Sequence, residues 1–187
     1  MENFEQLKRQ QATMQSLGSI IKTMKTLAAI NSIPYENAAQ AIQAYQNTVK
    51  QGFTTLAYLS QQSLQSTQKA TNPAAKELII AFGSDHGLCG SYNQQVAEFL
   101  AQYKEQTTKE ITLICLGAQL EKALAEFAIQ PLKTLMPAAS AEGLSRLAGV
   151  LAQEIETLNL PQVSLIFTKE SQKQRQVTQD QLLPLNP

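Results

Sequence analysis

The residues that could do chemistry lie mostly in one loop, residues 84–93, which reads SDHGLCGSYN. The loop contains Cys89, one of two cysteines, and His86, the only histidine in the 187 residues. A thiol nucleophile needs a base brought from elsewhere in the fold, and no second histidine exists to supply it. Asp85 is expected to bind backbone amides of its own turn, and Cys89 to be buried beneath the sheet edge. The sequence therefore favours a structural loop over a cysteine-dependent active site.

Phosphate binding is a second interpretation of the same loop, because it joins a strand to a helix and contains glycines. It contains no lysine, and it matches neither G-x-G-x-x-G nor G-x-x-x-x-G-K-[ST]. A structural turn is therefore favoured over phosphate binding. The spacing from Cys89 to Cys115 fits no metal motif. No cofactor and no metal are predicted.

Residues 75–187 have the hydrophobic pattern of an α/β domain. Apolar runs predict strands at 77–83, 111–117 and 162–167, and weaker strands at 129–135 and 176–185. Helices are predicted at about 92–104, 118–127 and 139–158. Pro131 interrupts the weak strand at 129–135. The alternation predicts a doubly wound, Rossmann-like sheet with right-handed crossovers.

Residues 1–70 form the other predicted part, a long helical coiled-coil segment, and residues 70–75 are predicted to be a linker. Apolar residues recur at spacings of three and four, which makes a narrow seam. The seam comprises Met14, Leu17, Ile21, Met24, Ala28, Ala38, Ile42, Tyr45, Val49, Phe53, Leu56 and Leu59. A continuous helix of this length would extend about 98 Å, far beyond a domain about 35 Å across. The exposed seam therefore needs a partner helix.

Pro34 leaves two structures open for this segment. A proline inside a helix removes a backbone donor and costs about 3 kcal/mol. The segment could be a rod kinked at Pro34, or an antiparallel hairpin in which Asn31 and Ser32 cap a second helix. We expect the isolated chain either to fold back at Pro34 or to associate with itself.

Composition excludes several classes of protein. Fifteen basic and fifteen acidic residues balance, which excludes a chain-wide basic field for nucleic acid. The hydrophobic fraction of 43% is too high for a disordered chain. No apolar run approaches the roughly 18 residues that span a membrane, and the first ten residues lack a signal-peptide core. Residues 1–70 carry six basic and three acidic residues, an excess of positive charge.

Two segments resemble the γ subunit of F-type ATP synthases. Residues 20–29, IIKTMKTLAA, resemble the N-terminal helix motif ITKAMxMVAA of that family, and the loop resembles its motif SDRGLCGGFN. Residues 181–185, QLLPL, also resemble the end of the family's α/β domain. The loop positions that match the motif are Ser84, Asp85, Gly87, Leu88, Cys89, Gly90 and Asn93.

The resemblance implies a rotor subunit without an active site. In the family, the γ subunit is the central shaft of the F1 head, and ATP is made or hydrolysed on the β subunits. Lys22, Met24 and Lys25 match the helix region that faces an acidic loop of the β subunit. The implied partners are the α and β subunits, the ε subunit and the membrane ring of c subunits. The implied location is peripheral, on the cytoplasmic face of the membrane.

The sequence departs from the family pattern in three ways. His86 stands where the family usually has Arg, and Ser91 where it usually has Gly. Residues 30–35, INSIPY, replace a basic stretch, which resembles the alternate F-type ATPases proposed to pump sodium. The family's long C-terminal helix is missing from this sequence, which leaves a fragment, a truncated product or part of a split subunit open. The alternatives are a stand-alone ligand-binding or Cys89-dependent α/β module and a non-functional truncated subunit. The sequence does not identify the coupling ion.

Overall fold

The chain forms two compact units, Met1–Gly52 and Phe53–Pro187. A computed structural model describes residues 2–60, 76–171 and 174–184. The predicted linker at 70–75 lies outside the described residues, so the predicted boundary between the coiled-coil segment and the α/β domain stays a prediction.

The N-terminal segment is one helix, α1, which runs from Glu2 to Ser60 and contains Pro34 in its interior. The hairpin interpretation is therefore wrong, and so is the prediction that Ser32 caps a second helix. The Ser32 hydroxyl instead donates to the Ala29 carbonyl at 3.0 Å, inside the helix. A proline removes only one backbone donor, and good helix formers on both sides sustain the helix through it.

The apolar residues of α1 are exposed along most of its length. Within residues 4–56 of the described structure, no residue is buried, although Ala38 and Val49 of the seam are half-buried. The exposed fraction of the large seam side chains ranges from 47% at Leu17 to 72% at Tyr45. Large exposed apolar side chains also lie beside the seam, at Ile20, Leu27, Ile30 and Ile33. The helix thus presents a long apolar surface that its own unit does not cover.

The second unit contains a five-stranded sheet of order β3-β2-β1-β4-β5. Its strands are β1 (Glu77–Phe82), β2 (Ile111–Leu116), β3 (Lys133–Leu135), β4 (Gln162–Ser171) and β5 (Gln174–Leu183). The first four are mutually parallel, and β5 pairs antiparallel with β4. The doubly wound α/β prediction is confirmed, with an antiparallel strand added at one edge.

Three helices connect the parallel strands and cover both faces of the sheet. They are α2 (Tyr92–Gln106), α3 (Ala118–Glu126) and α4 (Gly143–Leu158). Helices α2 and α3 pack on one face, where Val96 and Leu120 are fully buried against Ile79 and Cys115. On the other face, Leu151 of α4 packs with the buried residues of the strands. The chain crosses from one face to the other between β3 and β4.

Two predicted elements are shorter than expected. The strand predicted at 129–135 exists only as Lys133–Leu135. Pro131 has no amide hydrogen to contribute to a ladder, and Leu132 N makes a single bond to Leu113 O at 2.8 Å. Helix α4 begins at Gly143 rather than at residue 139.

A buried carboxylate lies at the amino end of the central strand. Glu77 is fully buried, and its Oε1 accepts from Ser164 Oγ at 2.6 Å and Gln162 Nε2 at 3.2 Å. Its Oε2 accepts from Tyr103 Oη at 2.7 Å and Lys109 Nζ at 3.4 Å. These four donors come from β4, α2 and the loop before β2, so the Glu77 side chain connects these three segments to β1.

Candidate functional site: the motif loop and the exposed helix

The motif loop, residues 84–93, leaves the carboxyl end of β1 and is closed by one asparagine. Asn93, in the first turn of α2, is 8% exposed. Its Oδ1 accepts from Ser84 N at 2.9 Å, and its Nδ2 donates to Ser84 Oγ at 2.8 Å. Because both ends of the loop meet at this side chain, Asn93 fixes the turn between β1 and α2.

Asp85 connects the loop to the next helix rather than to its own turn. Its Oδ1 accepts from Ala118 N, the first amide of α3, at 3.0 Å. The preceding carbonyl, Ser84 O, accepts from Gln119 N at 3.0 Å. The prediction that Asp85 binds amides of its own turn is therefore wrong. Asp85 caps α3, whose own N-cap residue, Gly117, has no side chain to do so.

Gly117 lies in close contact with the loop. Its φ is 102°, a conformation that favours glycine, and a Cβ there would lie 2.5 Å from Ser84 O. That distance is too short for any side chain to be tolerated without movement of the backbone. The loop and the start of α3 are thus packed backbone against backbone.

Cys89 is half-buried and belongs to the hydrogen-bond network of the loop. Its Sγ lies 3.3 Å from Ser84 Oγ and 3.3 Å from Asn93 Nδ2. Its contact with His86 is through the backbone, where Sγ donates to the carbonyl at 3.8 Å. The expectation of a buried cysteine is wrong for Cys89, whereas Cys115, within strand β2, is buried. Burial raises the pKa of the Cys115 thiol to about 12.

The tip of the loop is exposed. Leu88 has a positive φ of 65° and is 94% exposed, while His86 and Gly87 beside it are also exposed. Gly90 has a φ of 64°. The matched motif residues therefore divide into Ser84, Asp85, Cys89 and Asn93, which hold the loop, and an apolar tip that faces solvent.

An open cavity of about 390 Å³ lies beside the loop, on the α2 side of the sheet. Residues that the sequence analysis did not single out complete it: Tyr92 of α2, Thr168 of β4 and Arg175 of β5. Burial raises the pKa of Tyr92, an effect that the nearby Thr168 hydroxyl and Arg175 oppose. The lining residues are Gly83, Ser84, Cys89, Tyr92, Thr168 and Arg175.

The predicted interface residues of the N-terminal segment lie on α1. Lys22, Met24 and Lys25 are all exposed, and Met24 is 52% exposed. At Lys22 it is the backbone that makes a contact within the helix, since its carbonyl accepts a hydrogen bond from Thr26 Oγ1 at 3.0 Å. These residues belong to the first unit and the motif loop to the second.

The described residues form neither a metal-binding cluster nor a membrane-spanning helix. Across residues 2–60, 76–171 and 174–184, no three His, Cys, Asp or Glu side chains cluster in a way that could hold a metal ion. Among the helices of these same ranges, none is long and apolar enough to cross a membrane.

Known proteins share both the sequence pattern and the fold. The family described as "ATP synthase" matches residues 3–187. The ATP synthase gamma chain of Clostridium perfringens is 25% identical over 178 residues, which cover 90% of this chain and 62% of that protein. The gamma chain of Bacteroides fragilis is 23% identical over 195 residues, which cover 100% of this chain and 67% of that protein. The chain thus spans about two thirds of the length of these relatives.

Solved structures support the fold. A chain of the Tetrahymena thermophila mitochondrial ATP synthase central stalk and c-ring structure has a TM-score of 0.56 and 19% identity. The match covers 83% of this chain and 72% of that chain. The long helix and the doubly wound sheet define a class of protein that combines an exposed helical segment with an α/β domain. Within that class, the chain belongs to the ATP synthase gamma chain family.

Proposed function

We propose that this chain is the central-shaft subunit of a rotary F-type ATP synthase, without an active site of its own. The family match over residues 3–187 is the observation that carries the proposal. The exposed apolar surface of α1 supports it, because a shaft helix needs a surface for a partner helix and for the surrounding ring. ATP synthesis or hydrolysis would then occur on the β subunits of the complex.

Lys22, Met24 and Lys25 are the residues that we assign to contact with an acidic loop of the β subunit. They are exposed positions within one turn of the helix, where Lys22 and Lys25 lie on one face and Met24 lies in the apolar seam. Exposed charges of this kind steer association and fix which surfaces meet. This arrangement supports a contact that is both electrostatic and apolar.

The α/β domain would form the foot of the shaft. There it would contact the ε subunit and the ring of c subunits, with the whole assembly peripheral to the cytoplasmic face of the membrane. The exposed Leu88 at the tip of the motif loop supports a binding role for this end of the sheet. The hydrogen bonds that hold the loop support a structural role for Cys89 rather than a nucleophilic one.

We further propose that the chain belongs to the alternate, sodium-pumping branch of the family. Residues 30–35, INSIPY, support this placement because they replace a basic stretch with apolar and neutral residues. The test is the ATPase activity of the complex purified from the native host, measured with and without sodium at constant ionic strength. Stimulation by sodium is expected, and activity indifferent to sodium would contradict the placement.

Affinity purification of the tagged chain from its native host tests the shaft assignment. The α and β subunits are expected in the eluate, identified by mass spectrometry. If the chain elutes alone while other F1 subunits are detectable in the lysate, the shaft assignment is wrong.

A charge reversal tests the interface residues within the same experiment. The double variant K22E/K25E should recover several-fold less β subunit, because it places negative charges opposite an acidic loop. The matched control is K104E/K122E, which reverses two exposed lysines of the α/β domain. Equal loss of β subunit in both variants would show a general charge effect and contradict the assigned contact.

A further inference from the structure

We propose that α1 contains a hinge at residues 30–35, INSIPY, about which the two halves of the helix bend. The hinge lies wholly within the first unit, Met1–Gly52, and its existence does not depend on the shaft assignment. A hinge differs from a fixed kink, because it gives the helix a range of bend angles instead of one. The hydrogen bonds, the helix propensity and the side-chain exposure of the segment all point to it.

Two successive carbonyls before Pro34 have lost part or all of their helical hydrogen bonding. Pro34 lies inside α1 and has no amide hydrogen, so the Ile30 carbonyl, four residues earlier, has no helical donor. The Ser32 hydroxyl donates to the Ala29 carbonyl at 3.0 Å, and there it competes with the amide of Ile33. Side-chain bonds of this kind slightly destabilise helices and often bend them. The backbone is therefore weakened over one full turn.

The helix propensity of α1 is also lowest in this segment. Residues 30–35 are Ile, Asn, Ser, Ile, Pro and Tyr, all of which rank below the good helix formers. The stretches on either side, KTMKTLAA at 22–29 and ENAAQAIQA at 36–44, consist mainly of Ala, Leu, Met, Lys, Gln and Glu. The missing hydrogen bond therefore lies where the local sequence supports a helix least, between two stretches that support it well.

Side-chain contacts do little to hold the segment straight. Ile30 is 57% exposed and Ile33 is 52% exposed, so the large apolar side chains of the segment gain little from packing. Glu36 is the only charged residue between Lys25 and Lys50, so the sequence allows no ion pair at i,i+4 across the segment. Neither packing nor charge pairing thus replaces the hydrogen bond that Pro34 removes.

The hinge divides the apolar seam into two surfaces, one from Met14 to Ala28 and one from Ala38 to Leu56. The two halves of the helix also differ in charge. Residues 2–29 carry four basic and two acidic side chains, whereas residues 36–60 carry one of each. Bending at the hinge turns the basic half and the nearly neutral half in different directions, so each half can adapt separately to the surface that it meets.

The experiment is a distance measurement by pulsed electron–electron double resonance on the full chain. Spin labels are attached through a keto-bearing non-natural amino acid at the exposed positions Gln15 and Gln46, which leaves the cysteines in place. The labelled chain is diluted with unlabelled chain, so that only distances within one chain contribute. A straight helix would separate the two positions by about 47 Å. A broad distribution that extends to shorter distances is expected, and a single narrow peak at any distance would overturn the hinge.

Substitution of the proline tests the cause of the bending. Pro34→Ala supplies an amide hydrogen for the Ile30 carbonyl, and it should narrow the distribution and move its centre towards the straight-helix distance. The matched control is Gly18→Ala, which lies between the same two labels and places its Cβ in open space. It raises the helix propensity without adding a donor at the hinge, so the width should stay unchanged. Equal narrowing in both variants would contradict the role of Pro34.

Hydrogen exchange of the full chain, measured by mass spectrometry, locates the weakened turn independently of the labels. After correction for intrinsic rates, the amides of residues 30–38 should exchange several-fold faster than those of residues 20–27 in the same helix. Pro34→Ala should remove most of this difference. Ser32→Ala, which removes the competing hydroxyl, should reduce it to a smaller extent. If the two segments of the unmodified chain exchange equally fast, the hinge is wrong.

Discussion

At the scale of single residues, the motif loop is held by side chains that each join two parts of the chain. Asn93 closes the loop on itself, whereas Asp85 reaches the first amide of α3. The start of α3 is thereby fixed to the end of β1. A substitution at either contact should loosen the carboxyl edge of the sheet rather than abolish a reaction.

Gly117→Ala should destabilise the α/β domain by about 2 kcal/mol or more. The new Cβ would lie 2.5 Å from Ser84 O, and the φ of 102° is itself unfavourable for alanine. Gly149→Ala is the matched control, because a Cβ there has open space, and alanine in a helix is expected to stabilise by about 0.5–1 kcal/mol. Urea unfolding of both variants measures the two effects. Equal stability of the two variants would contradict the close contact.

Cys115 should make stability fall as the pH rises above about 9. Its folded pKa of about 12 exceeds its ordinary value of 9.0, so the native state holds the thiol proton that the unfolded chain releases. This contribution is complete below pH 9 and is lost progressively up to about pH 12. The slope approaches about 1.4 kcal/mol per pH unit. Urea unfolding between pH 8 and 10.5 should show a steeper decline in the unmodified chain than in Cys115→Ala, and parallel curves would contradict it.

The contacts of individual residues show what could and could not be predicted from the sequence. The loop motif was recognisable, and its structural role followed from the single histidine. The partner of Asp85 is 33 positions away, and Arg175 reaches the cavity beside the motif loop from the far edge of the sheet. No local spacing contains that information, because tertiary packing alone brings these residues together.

At the scale of elements, Glu77 connects neighbouring elements at the amino ends of the strands, and the motif loop connects them at the carboxyl ends. The strands of the centre were predictable because they are continuous apolar runs, as covered parallel strands are. The length of strand β3 was overestimated because Pro131 lies within its apolar run. A hairpin at Pro34 was an open alternative, because a helix that loses one backbone hydrogen bond at a proline can either end there or continue.

Glu77→Ala should cost about 3–5 kcal/mol of domain stability, because it removes the buried acceptor that four donors share, one of which is the ammonium group of Lys109. The matched control is Glu110→Ala, which removes a carboxylate from the exposed pair with Lys76, at 3.1 Å. That change should cost less than about 1 kcal/mol. Thermal or urea unfolding of both variants provides the comparison. Similar losses would mean that the buried carboxylate adds no more than an exposed one.

At the scale of the whole molecule, the apolar surface of α1 is the feature that most needs a partner. The purified chain is expected to associate with itself, because each Leu, Ile or Met buried between helices contributes about 1.5–3 kcal/mol. Sedimentation velocity over a range of concentrations should show the association. A chain that stays monomeric at all concentrations would contradict it.

Two double variants, one on each side of the helix, test that association. Leu17→Gln with Ile21→Gln should shift the chain towards monomer. Ser19→Gln with Thr26→Gln changes residues on the opposite side and should leave the association intact. Equal effects would place the contact elsewhere on the chain.

The strand order has a further consequence for how the protein folds while the ribosome is synthesising it. The central strand β1 is made before all the others, yet its neighbour β4 begins at residue 162, and their buried link between Glu77 and Ser164 spans 87 positions. Until that later stretch of chain emerges, one edge of β1 has no pairing strand, and contacts so distant in sequence form slowly. During synthesis, this nascent apolar strand is therefore the segment that we expect a chaperone to shield.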